Sequence, residues 1–265
     1  MTMAPMKVLD PDAGSRSVVD RALSILATFQ GTRSRQALSD ISRNSGLPIA
    51  TCYRIVQRLT EWGALERDTD GRYRVGLRLW EVASRAPRSV GLQRYARPYL
   101  LDLYETTGFA THLAIREGVE LVSIERFHNP RKNPRRPIIG DRYQMHISAI
   151  GQVLLAYAPR HIQEEVLAGD LPAFTTHTYT DRDTLERVLV DIQRTGYAVS
   201  DRQTDLENVA VAAPVRGFDG SVIASVSLSY PPETGDVRGM VHLIRLTATS
   251  ISRTLAAAGY GDVAN

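Results

Sequence analysis

The chain has 265 residues, 43% of them hydrophobic and 23% charged, a composition typical of globular proteins with one or two domains. No stretch approaches the roughly 20 apolar residues that a membrane helix needs, and the N-terminus lacks the basic-then-apolar pattern of a secretory signal. We therefore expect a cytoplasmic protein with no membrane partner. The single cysteine, Cys52, excludes an intrachain disulfide and a multi-cysteine zinc site.

Positive charge is concentrated near the N-terminus. Residues 1–90 carry 14 Lys and Arg against 9 Asp and Glu, whereas the rest of the chain carries 18 against 20. The two parts therefore have net charges of +5 and −2, as expected when one module binds a polyanion and the other does not. Residues 1–15 contain two prolines and no apolar period, which predicts a disordered tail.

Residues 16–86 predict a small domain that begins with three helices. The first helix has apolar residues at helical spacing, namely Val19, Ala22, Leu23, Leu26 and Phe29. Residues 37–45 predict a short second helix that ends at Gly46. Pro48 predicts the first turn of a third helix that runs to about Trp62, because proline is tolerated where its missing N–H is not required.

A β-hairpin is predicted directly after these helices. Between residues 65 and 75, outward charges alternate with inward Leu65, Tyr73 and Val75, and Asp70-Gly71 favours a turn. A further helix is predicted over residues 77–85. Three helices followed by a hairpin within about sixty residues are typical of a winged helix-turn-helix domain.

The remainder of the chain predicts a linker helix over 87–106 and an α+β domain over 107–262. Its expected elements are strands at 110–116 and 119–126, helices at 148–168 and 181–195, strands at 197–201, 209–216 and 221–229, and a helix at 236–258. Paired hairpins with helices between them favour an antiparallel sheet covered by helices. Loop 128–137, rich in arginine and proline, is interpreted as a solvated loop, with a lid or an oligomer contact as alternatives.

The third helix has the two faces that a DNA-reading helix needs. Cys52, Ile55, Val56 and Leu59 share the apolar face, and Thr51, Arg54 and Arg58 share the polar one. Arginine can bond bidentately to guanine in the major groove, while Thr51 and Tyr53 could anchor phosphates. On the hairpin, the cations expected at the phosphate backbone are Arg67, Arg72 and Arg74.

A solvated arginine face is the alternative for an isolated helix, but the neighbouring hairpin favours DNA. Cys52 faces inward, which predicts a small buried hydrophobic residue rather than a redox sensor.

Several segments resemble the IclR-type family of bacterial transcription regulators. They are VVDRALSILATF, SGLPIATCYRIVQRLTEWGALERD, GRYRVGLRL, LLDLYETTGFATHLAIREG, GDRYQMHISAIGQVLLAYAP, RTGYAVSD and VAVAAPVRGFDGSVIASVSLS, spread from about Val18 to Tyr260. The resemblance implies a GAF-like second domain and a homodimer or homotetramer. It also implies binding to palindromic operator DNA, with repression favoured over activation, under the control of a small organic acid or aromatic effector.

The chain departs from the family pattern at two places. Ile49 and Ala50 stand where the family often has lysine and serine at the start of the recognition helix, so the operator sequence cannot be carried over. Arg202 and Gln203 stand where the family usually has acidic residues, which changes the expected electrostatics of the pocket.

The resemblance places the effector pocket on the second domain. Its implied lining residues are Ala149, Ile150, Ser200, Ala210, Ser227 and Ser229. The last two serines lie two apart on a strand and so should face the same side of the sheet. If Ser148 caps the next helix, its free N–H groups favour a carboxylate. The alternative is that these serines form the solvent face of an edge strand.

No catalytic residue, metal or cofactor is predicted. The chain has no GxSxG, P-loop, GxGxxG or HExxH motif, and His112 and His146 are interpreted as structural rather than as zinc ligands. Two other functions remain open: an enzyme acting on a small organic acid with an accessory DNA-binding domain, and a DNA-binding protein without a ligand.

Overall fold

The computed structural model describes residues 17–30, 33–85, 87–129 and 139–261, and the chain divides into two compact units, 1–86 and 87–265. The tail predicted over 1–15 and most of loop 128–137 lie outside the described residues. The elements of the first unit are α1 (Val18–Ala27), α2 (Leu38–Ser45), α3 (Ile49–Trp62), β1 (Leu65–Arg67), β2 (Tyr73–Val75) and α4 (Leu77–Ala83).

The second unit contains longer elements. They are α5 (Pro87–Thr107), β3 (Ala110–Glu117), β4 (Glu120–Phe127), β5 (Arg142–Gln144), α6 (Ala149–Ala156), α7 (Arg160–Ala168), α8 (Arg182–Thr195), β6 (Ala198–Asp201), β7 (Val209–Arg216), β8 (Val222–Tyr230) and α9 (Val237–Ala257). A short 3-10 turn, Met145–Ile147, precedes α6. No helix in the described part of the chain has the length and hydropathy needed to cross a bilayer.

The first unit is a winged helix-turn-helix. A capping box starts α1, since Ser17 Oγ accepts the N–H of Asp20 while the Asp20 carboxylate accepts the N–H of Ser17. Gly46, with φ of +70°, ends α2 and allows the tight turn into α3. The strands β1 and β2 pair antiparallel, as predicted for the hairpin.

Three details of that unit differ from the sequence predictions. Val19 and Leu23 of α1 are exposed, and the buried positions are Ile25 within the helix and Phe29 after its end. Val75, predicted to face inward, is 43% exposed. Pro48 precedes α3 as its N-cap rather than occupying its first turn, because its ψ of 139° is extended.

The second unit is an antiparallel sheet between two helical layers, so the predicted α+β class is confirmed. Within the described ranges the strand order is β5-β4-β3-β8-β7-β6. On one face, α5 and α9 pack against inward residues such as Val211 and Leu228. On the other, α6 and α8 pack against small residues such as Ala114, Ala198 and Ala212. The sheet is therefore covered on both faces.

Candidate functional site

Helix α3 is held in the first unit by one face only. Cys52 and Val56 are fully buried in a core that also contains Ile25 and Ile41. Burial raises the pKa of the Cys52 thiol, while a hydrogen bond with Ser45 opposes that rise. A buried neutral thiol is the structural role that the sequence predicted for this residue.

The opposite face of α3 carries the predicted DNA-binding side chains. Thr51 is half-buried, Tyr53 is 50% exposed, and Arg54 is exposed with no hydrogen-bond or ion-pair partner among the described residues. Arg58 donates to the Glu61 carboxylate at 2.8 Å, but its side chain remains 83% exposed. An exposed ion pair of this kind contributes little, so Arg58 stays available to another partner.

The β1–β2 hairpin is the wing, and it places Arg72 and Arg74 beside carboxylates, whereas Arg67 lies 5.6 Å from the centre of the Tyr73 ring. Glu66 and Arg74 are directly opposite in the β1–β2 register, and the Arg74 guanidinium donates twice to Glu66 Oε2, at 3.0 and 2.8 Å. The amide of Leu77, and then Arg74, lower the pKa of the Glu66 carboxyl by donating hydrogen bonds to it. Arg72 is held more loosely, with its Nε 3.8 Å from Asp70 Oδ2.

A residue that the sequence analysis did not consider, Arg35, joins the wing to the segment before α2. Its guanidinium reaches Asp68 at 2.6 Å and Asp70 at 3.2 Å. The carboxylates of the wing therefore offset much of the positive charge that the sequence assigned to it. Arg72, the predicted DNA-binding residue of the wing, is paired with its carboxylate at a longer distance than Arg74 is.

In the second unit, the predicted ligand-binding serines lie on one face of the sheet. Ser200, Ala210 and Ser229 are cross-strand neighbours on β6, β7 and β8. Ser227 lies in the next row, between Ala212 and His112. Because cross-strand neighbours point to the same side, these residues form one surface toward α6.

We call the surface formed by Ser200, Ala210, Ser227 and Ser229, together with His112 and Ser123, the serine face. Ser200 and Ser227 are each 3% exposed, and β8 lies between β3 and β7. The alternative that Ser227 and Ser229 form the solvent face of an edge strand is therefore wrong. The hydroxyls of Ser200, Ser227 and Ser229 have no hydrogen-bond partner in the described part of the chain.

The start of α6 covers this side of the sheet. Ala149 and Ile150, both predicted pocket residues, are buried in its first turn. Ser148 caps the helix as predicted, with its Oγ accepting from the N–H of Gly151 at 3.4 Å. A Cβ at Gly151 would lie 2.3 Å from the Met145 carbonyl oxygen, so the close approach of the 3-10 turn requires glycine here.

The two histidines have separate partners. His112 Nε2 lies 2.9 Å from Ser123 Oγ, and both residues are buried. His146 Nε2 lies 3.2 Å from the Pro172 carbonyl oxygen, and burial lowers the pKa of its imidazole. Among the described residues no group of three or more His, Cys, Asp or Glu could hold a metal ion.

The segment after β6 packs against the start of α6. Arg202, at φ of +56°, points its guanidinium to the Asp201 carboxylate, whereas Gln203 is only 2% exposed. Gln203 Oε1 accepts from Gln152 Nε2 on α6 at 2.6 Å, and Thr204 Oγ1 donates to the Ile147 carbonyl at 2.9 Å. Gln203, which stands where the IclR-type family usually has an acidic residue, is thus a neutral and buried hydrogen-bond acceptor.

The structure therefore brings the predicted residues together in two groups. Thr51, Tyr53, Arg54 and Arg58 lie on α3, with Arg72 on the wing of the same unit. The six pocket residues lie on the sheet or α6. A separate surface depression of about 420 Å³ lies on α8 and is lined by Asp183, Glu186, Arg187 and Val190.

Ser123 and Gln152 were not predicted from the sequence, and Gln203 was considered only for its effect on the electrostatics of the pocket. The alternation of β4 is interrupted at a bulge beside Leu113 and Ala114, so a period-two reading could not assign Ser123 to a face. In the β3–β4 register His112 is opposite Arg126 and Ser123 is opposite Ala114, so His112 reaches Ser123 diagonally across the bulge. No local pattern indicates it.

Two family models match the chain. The IclR helix-turn-helix domain matches residues 18–69, and the bacterial transcriptional regulator IclR C-terminal domain matches residues 85–253. Together they span both units.

Named relatives are regulators. The HTH-type transcriptional regulator XynR of Escherichia coli is 32% identical over 213 residues, which cover 80% of this chain and 84% of XynR. The glycerol operon regulatory protein of Streptomyces coelicolor is 28% identical over 245 residues, covering 90% of this chain and 96% of that protein.

Solved structures show the same fold. An IclR homolog from Microbacterium hydrocarbonoxydans, complexed with 4-hydroxybenzoate, has a TM-score of 0.86 and 33% identity, covering 91% of this chain and 100% of that one. The Thermotoga maritima IclR has a TM-score of 0.72 and 26% identity, with coverage of 90% and 98%.

Proposed function

The chain belongs to the IclR family of bacterial transcriptional regulators, and we propose that it is a repressor whose binding to operator DNA is controlled by a small carboxylate or aromatic acid. The observation that carries this proposal is the presence, in one chain, of an exposed arginine-bearing recognition helix and of a row of serines on one face of the sheet. Ser200 and Ser227 are buried and Ser229 is half-buried, and their hydroxyls have no hydrogen-bond partner among the described residues. The first feature suits DNA, and the second suits a ligand that supplies hydrogen-bonding groups.

On the DNA side, we assign base reading to Arg54 and Arg58 and phosphate contacts to Thr51, Tyr53 and Arg72. The exposure of the Arg54 and Arg58 guanidiniums supports base contact, since bidentate recognition of guanine requires accessible donors. Arg54 has no partner among the described residues, and Arg58 would exchange its weak, exposed bond with Glu61 for the base. Arg72 suits a backbone phosphate because its pairing with Asp70 is long.

On the ligand side, we assign the pocket to the serine face and to the start of α6, at Ala149 and Ile150. The Ser148 cap orients the first turn of α6, whose N–H groups and positive dipole end favour an anion. The complex of the Microbacterium homolog with 4-hydroxybenzoate supports an aromatic acid as the first class to test.

A single recognition helix reads few base pairs, and dimeric helix-turn-helix regulators read two half-sites related by two-fold symmetry. We therefore propose that the protein acts as a homodimer or homotetramer, in the cytoplasm where the chromosome lies. Residues 16–86 would read the DNA, and residues 107–262 would bind the ligand and assemble the oligomer.

The test uses the full-length protein and a DNA duplex that it selects from a randomised library. Fluorescence anisotropy then compares its affinity for that duplex with and without benzoate, hydroxybenzoates and short aliphatic acids, while thermal shift reports their binding. We expect at least one acid to raise the melting temperature and to weaken DNA binding. The Ser227→Val variant should lose both effects, and Ser250→Val on α9 should keep them.

The same measurements separate the other two functions. DNA binding that no acid alters, with no thermal shift across the panel, would favour a ligand-independent DNA-binding protein. Turnover of one of the acids, followed by mass spectrometry, would favour an enzyme with an accessory DNA-binding domain. Either result would contradict the proposal.

A further inference from the structure

A buried carboxylate fastens α5 to the sheet. Glu125 of β4 is 2% exposed, and its Oε2 accepts from Arg97 Nη1 at 2.6 Å and from Gln93 Nε2 at 3.1 Å, both on α5. Its Oε1 accepts the N–H of Arg126 at 2.9 Å. The Arg97 guanidinium also lies 5.1 Å from the centre of the Phe127 ring. Strand β4 therefore contacts two successive turns of α5, through Gln93 and Arg97.

These contacts lie next to the point where α5 lacks a backbone hydrogen bond. Pro98 lies inside the helix and has no N–H, so the carbonyl of Arg94 lacks its regular helical hydrogen bond. Gln93 and Arg97 both lie just before this break. The part of α5 that they hold is the part that follows the first unit directly along the chain.

Residues 123–125 of β4 present side chains to both faces of the sheet. Ser123 is opposite Ala114 and bonds to His112 on the serine face, whereas Glu125 is opposite Leu113 and faces α5. Residues two apart on a regular strand would share a face. The register shift between Leu113 and Ala114 inserts Ile124, and this bulge places Ser123 and Glu125 on opposite faces.

We call the contacts of Glu125 with Arg97 and Gln93 the α5 anchor. One inserted residue, Ile124, separates this anchor from Ser123 on the serine face. His112, the partner of Ser123, is a cross-strand neighbour of Ser227 on β8. A ligand that hydrogen-bonds to Ser227 therefore lies beside the His112–Ser123 pair, which joins β3 to β4 on this face. A bulge is a point where the strand is not fixed by a regular ladder, so a shift at Ser123 can turn the peptide that carries Glu125.

We propose that Glu125, through Arg97 and Gln93, transmits occupancy of the serine face to α5 and so to the DNA-binding unit. This inference rests on the proposed function and names the coupling residues within it. Glu125 acts here as a positioning residue, because its side chain faces α5 on the side of the sheet opposite the serine face. Removing the anchor should uncouple the two sites while leaving each able to bind.

The experiment uses a tethered surrogate in place of a free ligand. The Ser229→Cys variant is labelled with benzyl methanethiosulfonate, which attaches a benzyl group to the serine face; Cys52 is buried, and mass spectrometry checks for a single adduct. Anisotropy then gives the affinity of labelled and unlabelled protein for the selected duplex. In this parent, labelling should weaken DNA binding about tenfold.

The same comparison is made after adding Arg97→Ala or Glu125→Gln. We expect unlabelled affinity within about twofold of the parent, and a labelling effect reduced to less than about twofold. Arg94→Ala removes an exposed charge from the same helix without touching Glu125 and should keep the full effect. Arg97 is 56% exposed, so its variant tests the anchor even if Glu125→Gln does not fold.

The outcomes separate the two claims. An unchanged labelling effect in Arg97→Ala overturns the coupling role of the anchor while leaving the proposed function intact. No labelling effect in the parent overturns the proposed function itself, because occupancy of the serine face then does not reach the DNA.

Discussion

The side-chain amide of Gln152 on α6 lies 2.6 Å from Oε1 of Gln203, in the segment that follows β6. The same Nε2 also donates to the His146 carbonyl at 2.9 Å, and both glutamines are almost completely buried. This neutral pair ties the start of the helix above the serine face to the loop beside it. Gln152 Oε1 has no partner among the described residues, so the pair is held through Gln152 Nε2 and Gln203 Oε1. A buried polar group that is hydrogen-bonded becomes costly when its partner is lost.

Replacing either glutamine should therefore destabilise the second unit. We expect Gln203→Leu and Gln152→Leu each to lower the free energy of unfolding by about 1 kcal/mol or more. Because each single variant already breaks the shared bond, the double variant should cost less than the sum of the two. Urea denaturation followed by circular dichroism measures all three. Strictly additive losses would contradict the pairing.

The wing offers a matched comparison of two arginines on one hairpin. Arg72→Ala should weaken binding to the selected duplex and lower its dependence on salt concentration, because a phosphate contact releases counterions. Arg74→Ala should weaken it less, since Arg74 is already bonded to Glu66. Anisotropy titrations at several salt concentrations make the comparison. A larger loss for Arg74→Ala would show that the Glu66 pair opens on DNA.

Burial of His146 predicts a loss of stability in mild acid. Its pKa is lowered in the folded protein, mainly by burial, from an ordinary value of 6.5. Below pH 6.5 the unfolded chain therefore binds more protons than the folded one, so stability present above that pH is lost as the pH falls toward the folded pKa.

The melting temperature of the wild type should accordingly drop between pH 7.5 and 5.5, and the drop should be smaller in His146→Gln. His161→Gln, at an exposed position on α7, serves as the control and should follow the wild type. Equal pH dependence in the wild type and His146→Gln would refute the assignment.

Much of the fold could be predicted from local sequence, because its helices carry strong start and stop signals. Gly46 and Gly63 adopt positive φ at the ends of α2 and α3, and the two hairpins of the sheet turn at Gly118 and Gly220. The faces were harder to predict. Val19 and Leu23 fit the helical period as well as Ile25 does, and only packing against α2 and α3 decides which side is buried.

The ion pairs around the predicted site residues could not be predicted from the sequence. The Glu66–Arg74 pair depends on cross-strand register, and the reach of Arg35 to Asp68 spans 33 residues, so neither is a local pattern. The bulge at Ile124 likewise made it impossible to predict that Ser123 and Glu125 of β4 lie on opposite faces of the sheet. Strand β5 was missed because its three residues are too few to show alternation.

We propose above all that the outer face of α3 reads DNA, and a variant of Arg54 tests this most directly. Wild-type protein should enrich a two-fold symmetric sequence from a randomised duplex library. For that duplex, Arg54→Ala should lose about 1 to 3 kcal/mol of binding free energy, or roughly five- to 150-fold in affinity. Arg253→Ala, which removes one exposed charge from α9, should stay within about twofold of the wild type. Wild-type affinity in the Arg54→Ala variant would contradict the account.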